Sequence, residues 1–259
     1  MPPKPAGTNI MNLTQAVESL YQTFADCPRP VRIKYCRCGC TKETEVEPLL
    51  ALPLRELKFS DLSNYSFSAM TTQGTVADFQ YFLPRLLEGI ASGEPYDYNC
   101  ETLFGKLNYA KWLTWSPREI STIRAFLYAL WTEALATFPL EKRLPAFIDI
   151  ETVVASIAVT GEDLQTYLIQ WEKLETTEAN EHLVQFVTTH GRDFSREGLF
   201  RTGFWESAQP QANTLLKWLT QRVILQRVRG NVGLLRQDGF DHLFESSLLT
   251  LENISSQFH

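Results

Sequence analysis

A capped helix in the middle of the chain constrains the fold more than any other feature of the sequence. Residues 116–119 read Ser-Pro-Arg-Glu, which combines a Ser N-cap, a Pro at the first helical position and a Glu that can bond back to the cap. Apolar residues then recur at spacings of three and four from Ile120 to Leu135. This spacing predicts one long helix over 116–138 with a wide apolar face, which other elements must cover.

Helical periodicity extends over most of the remaining chain. The segments with a helical pattern are 14–25, 43–50, 62–70, 76–90, 99–112, 149–159, 162–174, 178–188, 210–220 and 221–229. Pro84 lies inside one of them and predicts a kink or break near Leu83. Segment 31–35 alternates as a strand would, but it is too short to form a sheet by itself. We therefore predict an all-α fold, either an irregular helical-hairpin stack loosely like HEAT repeats or a compact multi-helix bundle.

The length of the chain suits one large or two small domains. With 259 residues it can bury a core that needs no disulfide. We predict a single helical domain over 12–235 with a small Cys-rich loop at 27–40 near the N-terminus. Residues 1–11 are expected to be a disordered leader. Residues 236–259 are expected to form a peripheral helix or a tail.

Composition excludes several classes of protein. Apolar residues make up 44% and charged residues 21%, which excludes fibrous and globally disordered chains. The net charge of −6 argues against a protein whose whole surface binds nucleic acid or an anionic membrane. The first residues resemble no secretory signal, and the most apolar stretch, 125–138, is about half as long as a membrane span. We expect a cytoplasmic protein with no membrane contact.

Two segments nevertheless concentrate positive charge. Segment 29–42 holds five basic residues and no acidic one, and segment 192–236 holds eight basic residues against three acidic ones. Solvated helix faces account for such segments most simply, but both could contact an acidic partner. The candidate partner contacts are Trp205, as an aromatic anchor, and Arg222, Arg227 and Arg229.

Four cysteines lie close together in the sequence and form a candidate metal site. Cys27, Cys36, Cys38 and Cys40 supply the four thiolates of a closed, structural zinc centre, and the surrounding bases would stabilise those thiolates. The alternative is a loop with reduced thiols, because single residues separate the last three cysteines instead of the usual two. Cys100 is expected to be a small buried hydrophobe. Structural zinc is the only cofactor that the sequence suggests.

One stretch of the chain resembles a known group of proteins. Residues 53–88 contain PLREL at 53–57, DL at 61–62, Thr71-Thr72, and DF followed by FLPRLLE at 78–88. They resemble a group of uncharacterised bacterial helical proteins with the pattern PLREL…DL..Y…A.TT.G…DF..FLPRLLE after a Cys-containing segment. The resemblance implies a bacterial helical protein. It implies no activity.

The same stretch contains a candidate anion contact. Thr71, Thr72 and Gly74 lie between two predicted helices and offer hydroxyls and amide donors at a helix N-terminus. Arg85 and Lys106 would add positive charge if the fold brings them there. The alternative is an ordinary turn between helices.

The motifs of common enzymes are missing from the sequence. It contains no G-x-S-x-G, H-E-x-x-H, G-x-G-x-x-G or P-loop pattern, and its four histidines all lie in the last third. We therefore predict a non-catalytic cytoplasmic binding or adaptor protein, with another protein as its partner. Two alternatives stay open. One is a zinc-stabilised module that contacts nucleic acid through 29–42 and 192–236, and the other is an enzyme with an unfamiliar helical active site.

Overall fold

The computed structural model describes residues 11–36, 39, 41–93, 99–194, 203–235 and 240–256. Within these ranges the chain forms twelve α-helices, short 3-10 turns and two isolated β-bridges. The helices are α1 (Leu13–Thr23), α2 (Glu43–Ala51), α3 (Ser63–Ser68), α4 (Val76–Ala91), α5 (Cys100–Tyr109), α6 (Pro117–Leu135), α7 (Ile150–Val159), α8 (Gln165–Lys173), α9 (Thr177–His190), α10 (Gln209–Leu219), α11 (Arg222–Asn231) and α12 (Phe240–Ser255). The prediction of an all-α fold is confirmed.

Helix α6 is the central element of the packing. Its N-terminus has the predicted cap, in which Ser116 Oγ accepts the Glu119 N–H at 3.3 Å and Glu119 Oε2 accepts the Ser116 N–H at 2.8 Å. It packs against α1, α7, α8 and α9, and α1 also packs against α4. Because α1 contacts helices that are distant in sequence, the helices form a bundle around α6 and not a stack in which each hairpin contacts only its neighbours.

A cluster of tryptophans fills the core beside α6. Trp131 and Trp218, which were expected in the core, are both buried. Trp171 of α8 joins them, because its ring meets the Trp131 ring edge-on at 5.4 Å and stacks on the Trp218 ring at 5.1 Å. These rings link α6, α8 and α10 through one continuous apolar contact.

Several helix boundaries differ by a few residues from the sequence expectation, and α6 ends at Leu135 instead of 138. Helix α1 begins one residue earlier, because Asn12 Oδ1 accepts the Gln15 N–H at 2.9 Å and the Gln15 side chain bonds back to Asn12. Helix α4 continues through Pro84, so the chain does not break near Leu83, and a kink there stays a prediction. Pro84 removes only the bond to the Gln80 carbonyl, and the buried apolar face of α4 holds the helix together.

The C-terminal segment belongs to the core. Within the predicted peripheral helix or tail over 236–259, residues 240–255 form α12, which buries Phe244, Leu248 and Leu251 and leaves Leu249 exposed. Ser247 Oγ also donates to the Thr188 carbonyl of α9 at 3.0 Å. Of the predicted leader at 1–11, only Met11 lies within the described residues.

No described helix is both long enough and apolar enough to cross a membrane. The longest of them, α6, has 19 residues and carries Arg118, Arg124 and Glu133 along its length. This agrees with the interpretation of 125–138 as part of a core helix.

A buried histidine makes the stability of the fold depend on pH. His182 of α9 is 0% exposed, and its Nε2 lies 3.0 Å from the Ala134 carbonyl and 2.7 Å from the Thr137 carbonyl. Nδ1 has no partner among the described residues. Burial lowers the pKa of His182 below its ordinary value of 6.5, although the two carbonyls partly oppose this.

We expect the contribution of His182 to the free energy of unfolding to fall as the pH drops below about 6.5. The unfolded chain then binds a proton at His182 that the folded chain resists, so acid favours unfolding. Urea unfolding at about pH 7.5 and about pH 5.5 measures the effect against His182→Gln, which keeps an amide donor but does not titrate. Equal pH dependence of the two proteins would show that His182 contributes nothing to it.

Candidate functional sites

A large cavity among the described residues is a groove between α2 and the extended segment 31–35. Its volume is about 870 Å³. Ile33 and Val46 are buried at its floor, and Leu50 and Ala51 extend the apolar surface towards the C-terminus of α2. An apolar floor of this kind favours an apolar side chain of a ligand over water.

The two walls of the groove carry opposite charges. Arg32 and Lys34 line it from the extended segment, and Glu43 and Glu47 line it from α2. Arg29, the first base of the segment, is engaged within the fold, because its Nη2 donates to the Leu52 carbonyl at 2.9 Å. One wall of the groove is therefore basic and the other is acidic.

The extended segment also presents a backbone edge. The Lys34 carbonyl accepts the Gly74 N–H at 2.7 Å, and the Cys36 N–H donates to the Thr72 carbonyl at 2.8 Å. Successive residues of an extended chain direct their N–H and C=O groups to opposite sides. The peptide groups of Ile33 and Tyr35 therefore face away from the turn at 72–74, and they have no backbone partner within the described part of the chain.

The structure leaves the predicted zinc site untested. Cys38 and Cys40 lie outside the described residues. Cys27 is half-buried, and burial together with the charges of Glu119 and Asp26 raises the pKa of its thiol. Cys36 is held at its backbone by Thr72, as described above. Cys100 is confirmed as a buried residue, with Sγ donating to the Ala146 carbonyl at 3.1 Å.

The anion contact at the turn before α4 stays a prediction, although its backbone donors already bond within the fold. The N–H groups of Thr71 and Thr72 both donate to the Ser68 carbonyl, and that of Gly74 donates to Lys34. At the N-terminus of α4, the Asp78 carboxylate accepts the Thr75 N–H at 2.7 Å. An anion would find these donors already bonded and would be repelled by Asp78.

Of the two bases expected at this turn, only Lys106 reaches it. Lys106 is 7% exposed, and its Nζ donates to Thr71 Oγ1 at 3.3 Å. Burial lowers the pKa of Lys106. Arg85 lies elsewhere, with Nη2 donating to the Leu57 carbonyl at 2.7 Å and Nη1 donating to Glu88 Oε2 at 2.7 Å.

Two of the four residues predicted to contact a partner are buried or hydrogen-bonded within the fold. Trp205 is 1% exposed, so it cannot anchor a partner in this state. Arg227 donates to Asn180 Oδ1 at 2.6 Å and to the carbonyls of residues 171, 172 and 174. For Trp205 and Arg227, core packing and backbone carbonyls occupy the groups that a partner would need.

The other two predicted contacts lie at the surface. Arg229 forms a two-pronged ion pair with Glu252, with distances of 2.7 Å and 2.8 Å from Nη2 to the two carboxylate oxygens. Arg222 is exposed and lines a cleft between α11 and the end of α12. Both remain predicted contacts, but the pairing with Glu252 neutralises part of the basic surface expected over 192–236.

A cluster of one histidine and several carboxylates lies where the C-terminus of α9 meets the N-terminus of α7. The sequence analysis did not predict this cluster. Near the C-terminus of α9, His190 has Nε2 3.3 Å from Asp149 Oδ2 and Nδ1 3.4 Å from Asp193 Oδ2. Asp149 caps α7, where its Oδ1 also accepts the Thr152 N–H at 3.0 Å. In the first turn of α7, Glu151 Oε1 accepts the indole N–H of Trp205 at 2.6 Å.

The cluster shifts the titration of its members. Burial raises the pKa of Glu151 and of Glu101, and Asp149 adds to both shifts by repulsion. Burial alone would lower the pKa of His190, but its bond to Asp149 and the charge of Glu151 outweigh this and raise the pKa. Burial likewise opposes the charge of Asp149, but the bonds from His190 and Thr152 lower its pKa. The arrangement thus favours a protonated imidazole of His190 beside an ionised Asp149.

Helix ends explain part of this arrangement. Acidic residues in the first turn and a cationic residue in the last turn both interact favourably with the helix dipole. The sequence contains two local signals, Asp149-x-Glu151 at a predicted helix start and His190-x-x-Asp193 at a predicted helix end. Asp149 and His190 are 41 residues apart, and no pattern in the sequence indicates that their side chains lie in contact.

The chain was compared with protein-family models, with curated proteins and with solved structures, and none of the three comparisons found a match.

Proposed function

We propose that the chain is a non-catalytic adaptor of the bacterial cytoplasm that binds an extended peptide segment of another protein in the groove between α2 and segment 31–35. The backbone edge at Tyr35, which is 36% exposed and whose peptide groups have no backbone partner among the described residues, lies beside an apolar floor and is the observation that carries this proposal. An extended peptide can pair with such an edge as an added strand, and its main-chain bonds then supply affinity.

The side chains of the groove would supply specificity. Ile33, Val46 and Leu50 offer apolar contacts to alternate residues of the ligand. Arg32 and Lys34 on one wall and Glu43 and Glu47 on the other favour one direction of a charged peptide over the reverse. The proposed ligand therefore alternates apolar and charged residues.

The experiment selects peptides from a random display library on the immobilised protein and measures their affinities for two variants. Ala51→Arg places a long side chain at the exposed end of the groove, and we expect it to weaken binding by about tenfold or more. Ala136→Arg is the matched control, because Ala136 is also exposed and also lies at the end of a helix, α6. Equal affinities for both variants would refute the groove as the binding site.

A second measurement tests the pairing with the backbone edge. Selected peptides are resynthesised with N-methyl groups at alternate residues, in both registers. In one register the methyl groups remove the N–H groups that would bond to segment 31–35, and affinity should be lost in that register alone. Equal tolerance of both registers would contradict strand addition.

A further inference from the structure

The cluster around His190 has the components of a metal centre. Ligand atoms of Asp149, Glu151 and His190 lie within 4.8 Å of one another, so one ion could contact all three. They come from the N-terminus of α7 and the C-terminus of α9, which are well-ordered helix ends and not surface loops. A site built on helices holds its ligands in a fixed geometry.

The balance of charge at the cluster favours a cation. Four carboxylates interact there, those of Glu101, Asp149, Glu151 and Asp193, and the imidazole of His190 is the cationic group that pairs with them. No Lys or Arg from the described ranges forms an ion pair with any of the four. A divalent ion would offset this excess of negative charge better than one imidazole can.

We propose that Asp149, Glu151 and His190 bind a divalent first-row transition metal ion. Carboxylates alone would suit Mg²⁺ or Ca²⁺, whereas an added imidazole nitrogen favours ions such as Mn²⁺, Fe²⁺ or Zn²⁺. His190 coordinates through Nε2, which faces Asp149, while Nδ1 bonds to Asp193. This carboxylate–histidine arrangement is the usual outer shell of a metal-bound imidazole.

Two further residues position the ligands. Trp205 holds Glu151 by its indole N–H, and Asp193 orients the imidazole. An ion at this site would join α7, α9 and the 3-10 turn Gly203–Ser207, which contains Trp205. Binding to the folded state alone raises the melting temperature, so the ion would stabilise the junction of these elements.

The experiment titrates the metal-free full-length protein with Mn²⁺ and follows the free ion by electron paramagnetic resonance. Mn²⁺ is the probe because thiolates bind it poorly, so the cysteines at 27–40 do not compete. We expect about one bound Mn²⁺ per chain and a melting temperature that rises with Mn²⁺ concentration. A wild-type dissociation constant weaker than about 1 mM would overturn the proposal.

Two conservative variants separate coordination from folding. Asp149→Asn retains a good N-cap for α7, and Glu151→Gln retains an acceptor for the Trp205 indole. We expect each to weaken Mn²⁺ binding by about tenfold or more. Asp163→Asn is the matched control, because Asp163 bonds to the Gln165 N–H beside α8 at 3.0 Å, outside the cluster. Equal Mn²⁺ affinity in all three variants would overturn the assignment.

The proposal of a metal site and the proposal of a peptide groove can be refuted independently of each other. Ala51→Arg should leave Mn²⁺ affinity unchanged, because Ala51 lies on α2 and none of the ligands does. Loss of Mn²⁺ affinity in an Ala51→Arg protein that keeps the wild-type circular dichroism spectrum and melting temperature would refute the assignment to α7 and α9.

Discussion

Replacing Leu127 by Ala is expected to lower the free energy of unfolding by about 2–5 kcal/mol. Leu127 lies on the central helix α6 and is completely buried, together with Ile123, Phe126 and Leu130 of the same face. Because α6 packs against helices from both halves of the chain, the cavity cannot close by the movement of one neighbour. Chemical denaturation monitored by circular dichroism at constant temperature measures the loss.

The matched comparison is Ser116→Ala at the N-terminus of the same helix. It removes the acceptor for the Glu119 N–H but leaves the core intact, so we expect a loss of about 1 kcal/mol. If Leu127→Ala were as mild as Ser116→Ala, the apolar face of α6 would not be the centre of the core.

Replacing Arg227 by Met is expected to cost about 2–4 kcal/mol of unfolding free energy, because a guanidinium that ties two parts of the fold together is lost. Its Nη1 donates to the carbonyls of Trp171 and Glu172 at 2.8 Å and 3.1 Å, and Nη2 donates to that of Leu174. These carbonyls lie at the end of α8, and in the described part of the chain only that of Trp171 also accepts a backbone N–H, from Leu174 at 3.2 Å. Met fills a similar volume but removes the donor for the carbonyls of Glu172 and Leu174 and leaves Trp171 with the Leu174 bond alone.

Arg222→Met is the control for Arg227→Met on the same helix. Arg222 is exposed, and its replacement should change stability by less than about 0.5 kcal/mol. Thermal unfolding of both variants checks the pair. Similar stabilities would show that the contacts of Arg227 with α8 contribute little, and Arg227 would again be a candidate for binding an acidic partner.

Helix α6 shows how much of the fold a local pattern can predict. Its cap, its first-turn Pro and its apolar face all depend on residues that are close in sequence. The sequence alone therefore predicted the position of α6 and the all-α class of the fold. The same holds for the N-terminus of α4, where Thr75 and Asp78, three residues apart, form a capping box. The buried Cys100 and Trp131 followed from residue type and periodicity.

The candidate sites depended on contacts that no local pattern encodes. Basic residues in one sequence segment have different roles, because Arg227 bonds to the end of α8 while Arg222 remains at the surface. Thr71 and Gly74 were predicted to contact an anion, but the carbonyls of Ser68 and Lys34 already accept their N–H groups. The sequence shows which hydrogen-bond donors are present, but it does not show which acceptors they bond to in the folded chain.

Local sequence therefore determined the helices, most of their caps and the apolar faces that must be buried, because those properties depend on residues three or four apart. Tertiary structure alone decided that α12 joins the core, that segment 31–35 leaves a backbone edge beside α2, and that His190 meets Asp149 and Glu151. Each of these features brings together groups separated by tens of residues. Their positions follow from how the apolar faces pack around α6, which depends on the shapes of all the helices at once.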